Sequence, residues 1–366
     1  MDIRFPGRLG LQQRVIPSYR APFFDLLAQS CESGLSLFAG LPRPGEGIAS
    51  VDKLNVANYR SGNNLHFLGG SFYLCYQSGL IPWLADWDPH ALIVEANPRY
   101  PATPSAVKWM HARGRKVIGW GLGAPPLSGI LAAVRHMRWS KFLSQFDALI
   151  AYSRRGADEY AALGFKPQKI FVAPNAVSPR PVSKPPFRPA RFNVRPVILF
   201  VGRLQARKRL DSLLRACSEM PEPKPRLIII GDGPERSDLV SLTKEVYPSA
   251  EFIGAKHGPE LDPYFADADL FVLPGTGGLA VQQAMSHGLP VLVAKGDGTQ
   301  DDLVRDANGW QIAPEDYSAL VGALRLALSD VKRLRKMGKE SYRIVKEEIN
   351  LEKMVEVFVK ALNSLN

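Results

Sequence analysis

The chain has 366 residues, enough for two or three domains at the usual ~100–200 residues each. Hydrophobic residues make up 46% and charged residues 22%, which excludes a disordered or fibrous chain and leaves ordinary globular composition. The net charge of +11 is unevenly placed: residues 1–190 hold 22 Lys and Arg against 11 Asp and Glu, whereas 191–366 hold 24 of each. So basic a half attracts phosphates, nucleic acid or an anionic membrane surface; a solubilising surface with no specific partner is the plainer alternative.

Cys31, Cys75 and Cys217 are odd in number and lack C-x-x-C spacing, which argues against a disulfide framework or a cysteine zinc site and suits a reducing compartment. The N-terminal stretch MDIRFPGRLG has no basic-then-apolar signal pattern, so the expected location is cytoplasmic.

In chain order, short apolar runs predict strands at Leu11–Ile16, Leu35–Phe38, Ala91–Glu95, Lys116–Trp120, Ala148–Tyr152 and Ile170–Val172. Asn63–Ala85 carries no formally charged residue and is long enough to cross a bilayer. Gly69, Gly70, Gln77, Ser78, Gly79 and Pro82 interrupt it, so the expectation is a buried strand–turn–helix, with an interfacial helix as the lesser alternative. Val177–Pro196 is proline-dense and basic and reads as an interdomain connection. Further strands are predicted at Val197–Val201, Arg226–Ile230, Glu251–Ile253, Leu270–Leu273 and Pro290–Val293, and helices at Ala206–Met220, Glu315–Gly338 and through the amphipathic tail Tyr342–Asn366.

This βαβ rhythm predicts an α/β chain with two Rossmann-like, doubly wound domains facing each other across a cleft. The expected divisions are a first domain at 1–178, a linker at 179–196, a second domain at 197–341 and a terminal helix at 342–366. Ligands of such sheets bind outside the carboxyl ends of the strands. In VILFVGRLQARK a strand ends at Gly202-Arg203-Leu204, and Lys208 follows at the start of a helix. Two cations five residues apart at a helix start suit a diphosphate; a pair of plain surface cations is the competing reading. A strand ending at Pro274 leads into Gly275, Gly277 and Gly278, which open a helix from Leu279 to His287 and let backbone N–H groups approach a phosphate.

GRLQARK, IIIGDGPE, FIGAKH, ADLFVLPG, GGLAVQQAMSHGLPVL and DLVRDANGW, in this order, resemble the donor half of the retaining nucleotide-sugar glycosyltransferases of family 4, glycosyl transferases group 1. The resemblance is strong over about residues 195–340 and looser in the first half, through LQQRVIPSYRAPFFDLLA, ALIVEANPR, AYSRRGADEYAALGF and IFVAPNAV. It implies the GT-B fold, a last helix that crosses back to the first domain, and a nucleoside-diphosphate sugar as donor, with no further cofactor. Arg203 and Lys208 would be catalytic, offsetting charge on the leaving diphosphate. Gly202, Gly254, Ala255, Lys256, His257, Gly275, Thr276, Gly277, Gly278, Leu279 and Gln283 would bind the donor. The family's donor loop carries two glutamates as E-x7-E; here Gly275 and Gln283 stand in their places.

The first half also departs from the family. A glycine-rich loop is replaced by QRVIPSYRAPFFD, where Arg14 and Arg20 flank Pro17 and Tyr19, and Trp120-Gly121-Leu122-Gly123 lacks a histidine often found there. Arg14, Tyr19, Arg20, Glu95, Trp120, Gly121 and Gly123 form the expected acceptor-binding set, and Glu95 is equally readable as a paired structural acid. No His/Asp/Glu cluster has metal-ligand spacing, so no metal is expected. RNA-type aromatic platforms are not recognisable, so nucleic acid is not an expected partner.

The expected activity is retaining transfer of a sugar to a glycan or lipid-linked acceptor in surface polysaccharide or glycolipid synthesis, with the basic half drawn to an anionic membrane face. One alternative is a degenerate, non-catalytic nucleotide-sugar-binding partner in a glycosylation complex. Another is a GT-B epimerase or phosphorylase.

Overall fold

Apolar runs of three to seven residues, most of them ended by glycine or a polar turn, build two separate parallel sheets. The computed structural model describes residues 4–124, 129, 132–296 and 298–365, so the first three residues of the N-terminal stretch read for a signal lie outside the described residues. The contacts divide the chain into two units, 1–175 with 351–366, and 176–350.

The first unit runs β1 (Leu9–Val15), α1 (Ala21–Gln29), β2 (Leu35–Gly40), β3 (Asn58–Ser61), β4 (Asn63–Phe67), β5 (Leu74–Ser78), α2 (Leu80–Trp87), β6 (Ala91–Glu95), α3 (Thr103–His111), β7 (Lys116–Gly121), α4 (Ala132–Leu143), β8 (Ala148–Ala151), α5 (Arg154–Ala162) and β9 (Ile170–Val172). Its sheet has the order β3-β2-β1-β6-β7-β8-β9, and every pair is parallel. The order reverses between β1 and β6, which is where a doubly wound sheet opens a crevice at its carboxyl edge. Burial is continuous along the central strands because helices cover both faces.

The second unit runs β10 (Val197–Val201), α6 (Leu210–Ser218), β11 (Arg226–Ile230), α7 (Arg236–Val246), β12 (Glu251–Gly254), α8 (Asp262–Asp267), β13 (Leu270–Leu273), α9 (Ala280–Ser286), β14 (Val291–Ala294), α10 (Thr299–Leu303), β15 (Gly309–Ile312), α11 (Tyr317–Ser329) and α12 (Val331–Glu347). Its sheet has the order β12-β11-β10-β13-β14-β15, with the reversal between β10 and β13. The last helix, α13 (Leu351–Asn363), belongs to the first unit: Phe358 meets Phe23 of α1 at 5.0 Å and Trp120 at 4.9 Å.

Several expected elements take a different form. The single helix expected over Glu315–Gly338 is two, because Asp330 ends one and caps the next by accepting from Arg333 N–H at 3.0 Å. Such a cap is worth ~1 kcal/mol. The helix expected from Ala206 is a single 3-10 turn at Ala206–Lys208, broken by Arg209 at φ +54° before α6 begins. The proline-rich segment expected as a linker packs on the second unit. Arg188 donates to the carbonyls of Ala268 and His287 at 2.8 Å, and the Tyr342 hydroxyl donates to Ser183 O at 2.6 Å. Asn63–Ala85 is not a buried strand–turn–helix: β4 and β5 pair antiparallel as a two-stranded ribbon ahead of α2, and Phe72 at its turn is 77% exposed. Among the described residues no helix is long and apolar enough to cross a membrane.

Candidate functional site

The carboxyl edge of the second sheet gathers most of the residues expected to bind a donor. Strand neighbours lie ~4.8 Å apart, so the edge from β12 through β11 and β10 to β13 spans roughly 14 Å. Hydrogen bonds between the strand-end loops hold this edge together. Gly202 N donates to Ile230 O at 2.9 Å, Leu204 N to Asp232 O at 2.9 Å, and Gly231 N to Gly254 O at 2.8 Å. Gly231 sits at φ +144°, and a Cβ there would meet Gly202 O at 1.9 Å, so the Gly-Asp-Gly turn is required by this close approach.

Lys208 is the best-placed cation of the edge. It is 5% exposed, yet its Nζ reaches the donor loop, donating to Thr276 O at 2.8 Å and to Gly277 O. Thr276 N in turn donates to Arg207 O at 3.0 Å, so the 3-10 turn and the donor loop are bound to each other directly. Arg203 is exposed just beyond Gly202. Arg207, which the sequence reading passed over, lies against the same loop: its Nη1 would stand 3.2 Å from a Cβ on Gly277. It belongs to the same GRLQARK run as the other two cations, and that run was the available signal.

The close approach of the two loops explains the missing acid at 275. A Cβ on Gly275 would lie 2.0 Å from Arg207 O and 2.5 Å from Lys208 Cα. Both obstacles are backbone, so no rotamer change clears them, and the loop as built excludes every side chain at 275. Gln283 is a different case. It is half-buried on α9, and its side-chain amide makes no hydrogen bond to the described residues. Its neighbour Gln282 is structural: buried, it accepts from Val177 N at 2.6 Å and Ser178 N at 3.1 Å and donates to Ile349 O at 2.7 Å. The resemblance singles out Gln283 by its place in E-x7-E, but nothing in the sequence marks Gln282 as structural.

Gly254 ends β12 at φ +85°, and Ala255 and His257 are exposed. Lys256 pairs with Glu260 at 3.2 Å, and Glu260 also accepts from His257 N at 3.2 Å, so Lys256 is partly neutralised. A cavity of about 470 Å³ opens on the other flank of the 3-10 turn, lined by Gln205, Arg207, Arg209, Asp211, Glu235 and Glu315. None of the expected donor residues lines it. Among the described residues no group of three or more His, Cys, Asp and Glu could hold a metal ion.

The expected acceptor residues divide. Glu95 ends β6 at the reversal of the first sheet and accepts from Arg14 N, at the end of β1, at 2.6 Å. Burial pushes its carboxyl up to about 7, against the pull of Arg14. Arg14 is held by Glu46 at 2.9 Å. Tyr19 is 42% exposed. Arg20, expected to bind the acceptor, is 6% exposed: it lies 5.3 Å from the ring centroids of both Trp120 and Tyr152 and donates to Asn175 Oδ1. Trp120 is not a ligand-facing residue. It is 1% exposed inside a cluster with Phe23, Phe24, Tyr152 and Phe358. Gly121 and Gly123 serve packing on α5: a Cβ on the first would meet the Tyr160 hydroxyl at 2.6 Å, and on the second Gly156 Cα at 2.6 Å.

Residues 184–344 match the family described as glycosyl transferases group 1, and the match fills nearly all of the second unit. The chain carries a glycosyl transferases group 1 domain. It is 36% identical over 151 residues to the sulfoquinovosyl transferase SQD2 of Arabidopsis thaliana, covering 40% of this chain and 29% of that protein. It is 32% identical over 157 residues to a GDP-mannose-dependent alpha-mannosyltransferase of Corynebacterium glutamicum, covering 42% of this chain and 36% of that protein. The matched stretch thus spans about a third of the curated relatives' length. Among solved structures, the sucrose-phosphate synthase of Thermosynechococcus elongatus superposes with a TM-score of 0.70 at 17% identity, covering 98% of each chain. The fold is GT-B.

Proposed function

We propose that the chain is a glycosyltransferase that moves a sugar from a nucleoside-diphosphate sugar to a glycan or lipid-linked acceptor, with retention and without a metal. The observation that carries this reading is the placement of Lys208. A buried ammonium is held at the carboxyl edge of β10, against the glycine-rich loop after β13, with Arg203 and Arg207 in the adjoining turn. Three cations around a glycine-rich loop suit a leaving diphosphate, and cations can supply the charge stabilisation that a metal supplies elsewhere. The activities for which these relatives are named, one dependent on GDP-mannose and one transferring sulfoquinovose, support a nucleotide-sugar donor and a polysaccharide or glycolipid product. In this proposal the work is done at a cytoplasmic membrane face, and the basic first unit faces anionic lipid.

The absence of the first glutamate does not by itself favour a non-catalytic partner. A decayed site would leave a gap where a side chain had been. Here the backbone of Arg207 and Lys208 fills the space beside Gly275, so the loop is built on glycine. The test is turnover: the purified chain is incubated with UDP-, GDP-, dTDP- and ADP-sugars and a membrane lipid extract, and released nucleotide and glycolipid are measured. Transfer from one donor, with the anomeric configuration kept in the product's NMR spectrum, supports the proposal. Nucleotide binding without transfer in any combination would instead support the non-catalytic partner.

A further inference from the structure

The ribbon of β4 and β5 is inside out. Leu65 pairs with Tyr76 and Phe67 with Leu74, so these four side chains share one face. They are 40%, 44%, 50% and 37% exposed. The opposite face carries Asn64, His66, Cys75 and Gln77, and this polar face is the one turned to the protein. Cys75 is fully buried and Gln77 is 2% exposed. Asn64 Nδ2 donates to the carbonyls of Arg14 and Leu41, both at 2.8 Å, and Gln77 Nε2 donates to Gln13 O at 3.0 Å. The ribbon is therefore fixed by polar bonds to the carboxyl ends of β1 and β2, and its apolar face is left to solvent. An antiparallel pair on a soluble protein shows the reverse pattern, apolar in and polar out. The turn adds Leu68, 72% exposed, and Phe72, 77% exposed. Six large apolar side chains in one exposed patch mark an interaction surface.

The surrounding charge selects the occupant. From residue 96 to residue 146 the sequence contains eight Lys and Arg and no Asp or Glu. Arg113, Arg115 and Lys116 stand at the amino end of β7, the last two paired with Asp88 and Asp147, whereas the exposed Arg99 follows β6 at the ribbon itself, its carbonyl accepting from Cys75 N at 3.0 Å. Within that stretch, α4 follows β7, so its start stands at the same carboxyl rim as the ribbon. Its first two turns hardly touch the core: residues 133–138 are all exposed, with Arg135 and Arg138 beside Val134, 48% exposed, and Met137, 63% exposed. The end of α4 packs on the core through Trp139, Phe142 and Leu143. An apolar ribbon and a basic, partly apolar helix on one rim match a surface that is anionic outside and hydrocarbon beneath.

We propose that the β4–β5 ribbon and the first two turns of α4 form a docking surface for an anionic phospholipid bilayer, with Phe67, Leu68 and Phe72 entering the headgroup–acyl boundary and Arg135 and Arg138 contacting headgroups. This rests on the membrane partner proposed above but not on sugar transfer, because vesicle binding is read without donor or acceptor. The full chain is sedimented with vesicles of phosphatidylglycerol and phosphatidylcholine and with vesicles of phosphatidylcholine alone. The expected result is binding to the anionic vesicles that weakens with salt. Phe67→Ser with Phe72→Ser lowers the partition coefficient about tenfold or more, and Arg135→Glu with Arg138→Glu abolishes the preference for anionic lipid. A Phe67→Trp chain, whose fold the exposed site does not strain, shifts its emission to the blue on anionic vesicles. Binding that ignores the ribbon substitutions, or no emission shift, overturns the proposal. So does a concentration-dependent dimer that the ribbon substitutions dissolve, since that would assign the face to a second copy of the chain.

Discussion

Replacing Gly275 with alanine tests the account of the donor loop at its tightest point. The new methyl would lie 2.0 Å from Arg207 O, 2.5 Å from Lys208 Cα and 2.6 Å from Lys208 C. Ordinary contact is about 3.4 Å, so the two backbones must part by more than ~1 Å. Overpacking usually costs ~1–3 kcal/mol, and backbone obstacles place this site at the upper end. For a unit of this size 1 kcal/mol moves the Tm by ~2–4 °C, so a fall of roughly 6–12 °C is expected in a calorimetric scan. The same displacement draws Thr276 and Gly277 off Lys208, so nucleoside diphosphate affinity falls about tenfold or more in isothermal titration. Gln283→Glu is the companion. Its side chain has no hydrogen bond to the described residues to lose, and stability is expected to change by less than ~1 kcal/mol. A Gly275→Ala chain that melts within ~2 °C of wild type and binds nucleotide equally would refute the reasoning.

Lys208→Met removes a charged donor from the diphosphate position. Charged hydrogen bonds are worth ~1.5–3 kcal/mol, so nucleotide affinity is expected to fall ~10–100-fold, measured by titration calorimetry. Gln282→Ala leaves Val177 N, Ser178 N and Ile349 O without a partner; at ~1–3 kcal/mol per orphaned group, a loss of about 3 kcal/mol or more is expected in urea melts. Glu95 gives a pH prediction. Its folded pKa, about 7, lies above the ordinary value of 4.5, so the folded chain holds the proton longer and Glu95's contribution to stability falls as pH rises through that window. Glu95→Gln removes this loss, so the variant's stability relative to wild type should grow by up to ~3 kcal/mol between pH 4.5 and 7. A difference that stays flat with pH would place Glu95 in an ordinary, solvated setting.

Much of the sheet architecture was legible because parallel strands buried on both faces read as plain apolar runs. The runs at Ala91–Glu95 and Val197–Val201 needed no partner information to be found. The β4–β5 ribbon was misread because its alternation is inverted: Leu65, Phe67, Leu74 and Tyr76 look like a core face in sequence and stand in solvent. Trp120 was misplaced for the opposite reason. A residue at the end of a central strand was expected to meet a ligand, but α1 and α13 converge over it, and α13 lies more than two hundred residues further on. Gly275 shows the same limit within the site. The sequence showed that an acid was missing; only the crossing of Arg207 and Lys208 over the loop shows why none fits. The break at Asp330 was more accessible, since an aspartate directly ahead of the amphipathic run that begins at Val331 is an N-cap signal.

The central claim is that the second unit holds a working nucleoside-diphosphate site built on Arg203, Lys208 and the loop after β13. Its most direct test is titration calorimetry of the full chain with UDP, GDP, dTDP and ADP, repeated with Arg203→Ala. The account predicts that one of the four binds and that its affinity drops about tenfold or more without the arginine. Absence of binding by all four at millimolar concentration, or binding that Arg203→Ala leaves untouched, would contradict it.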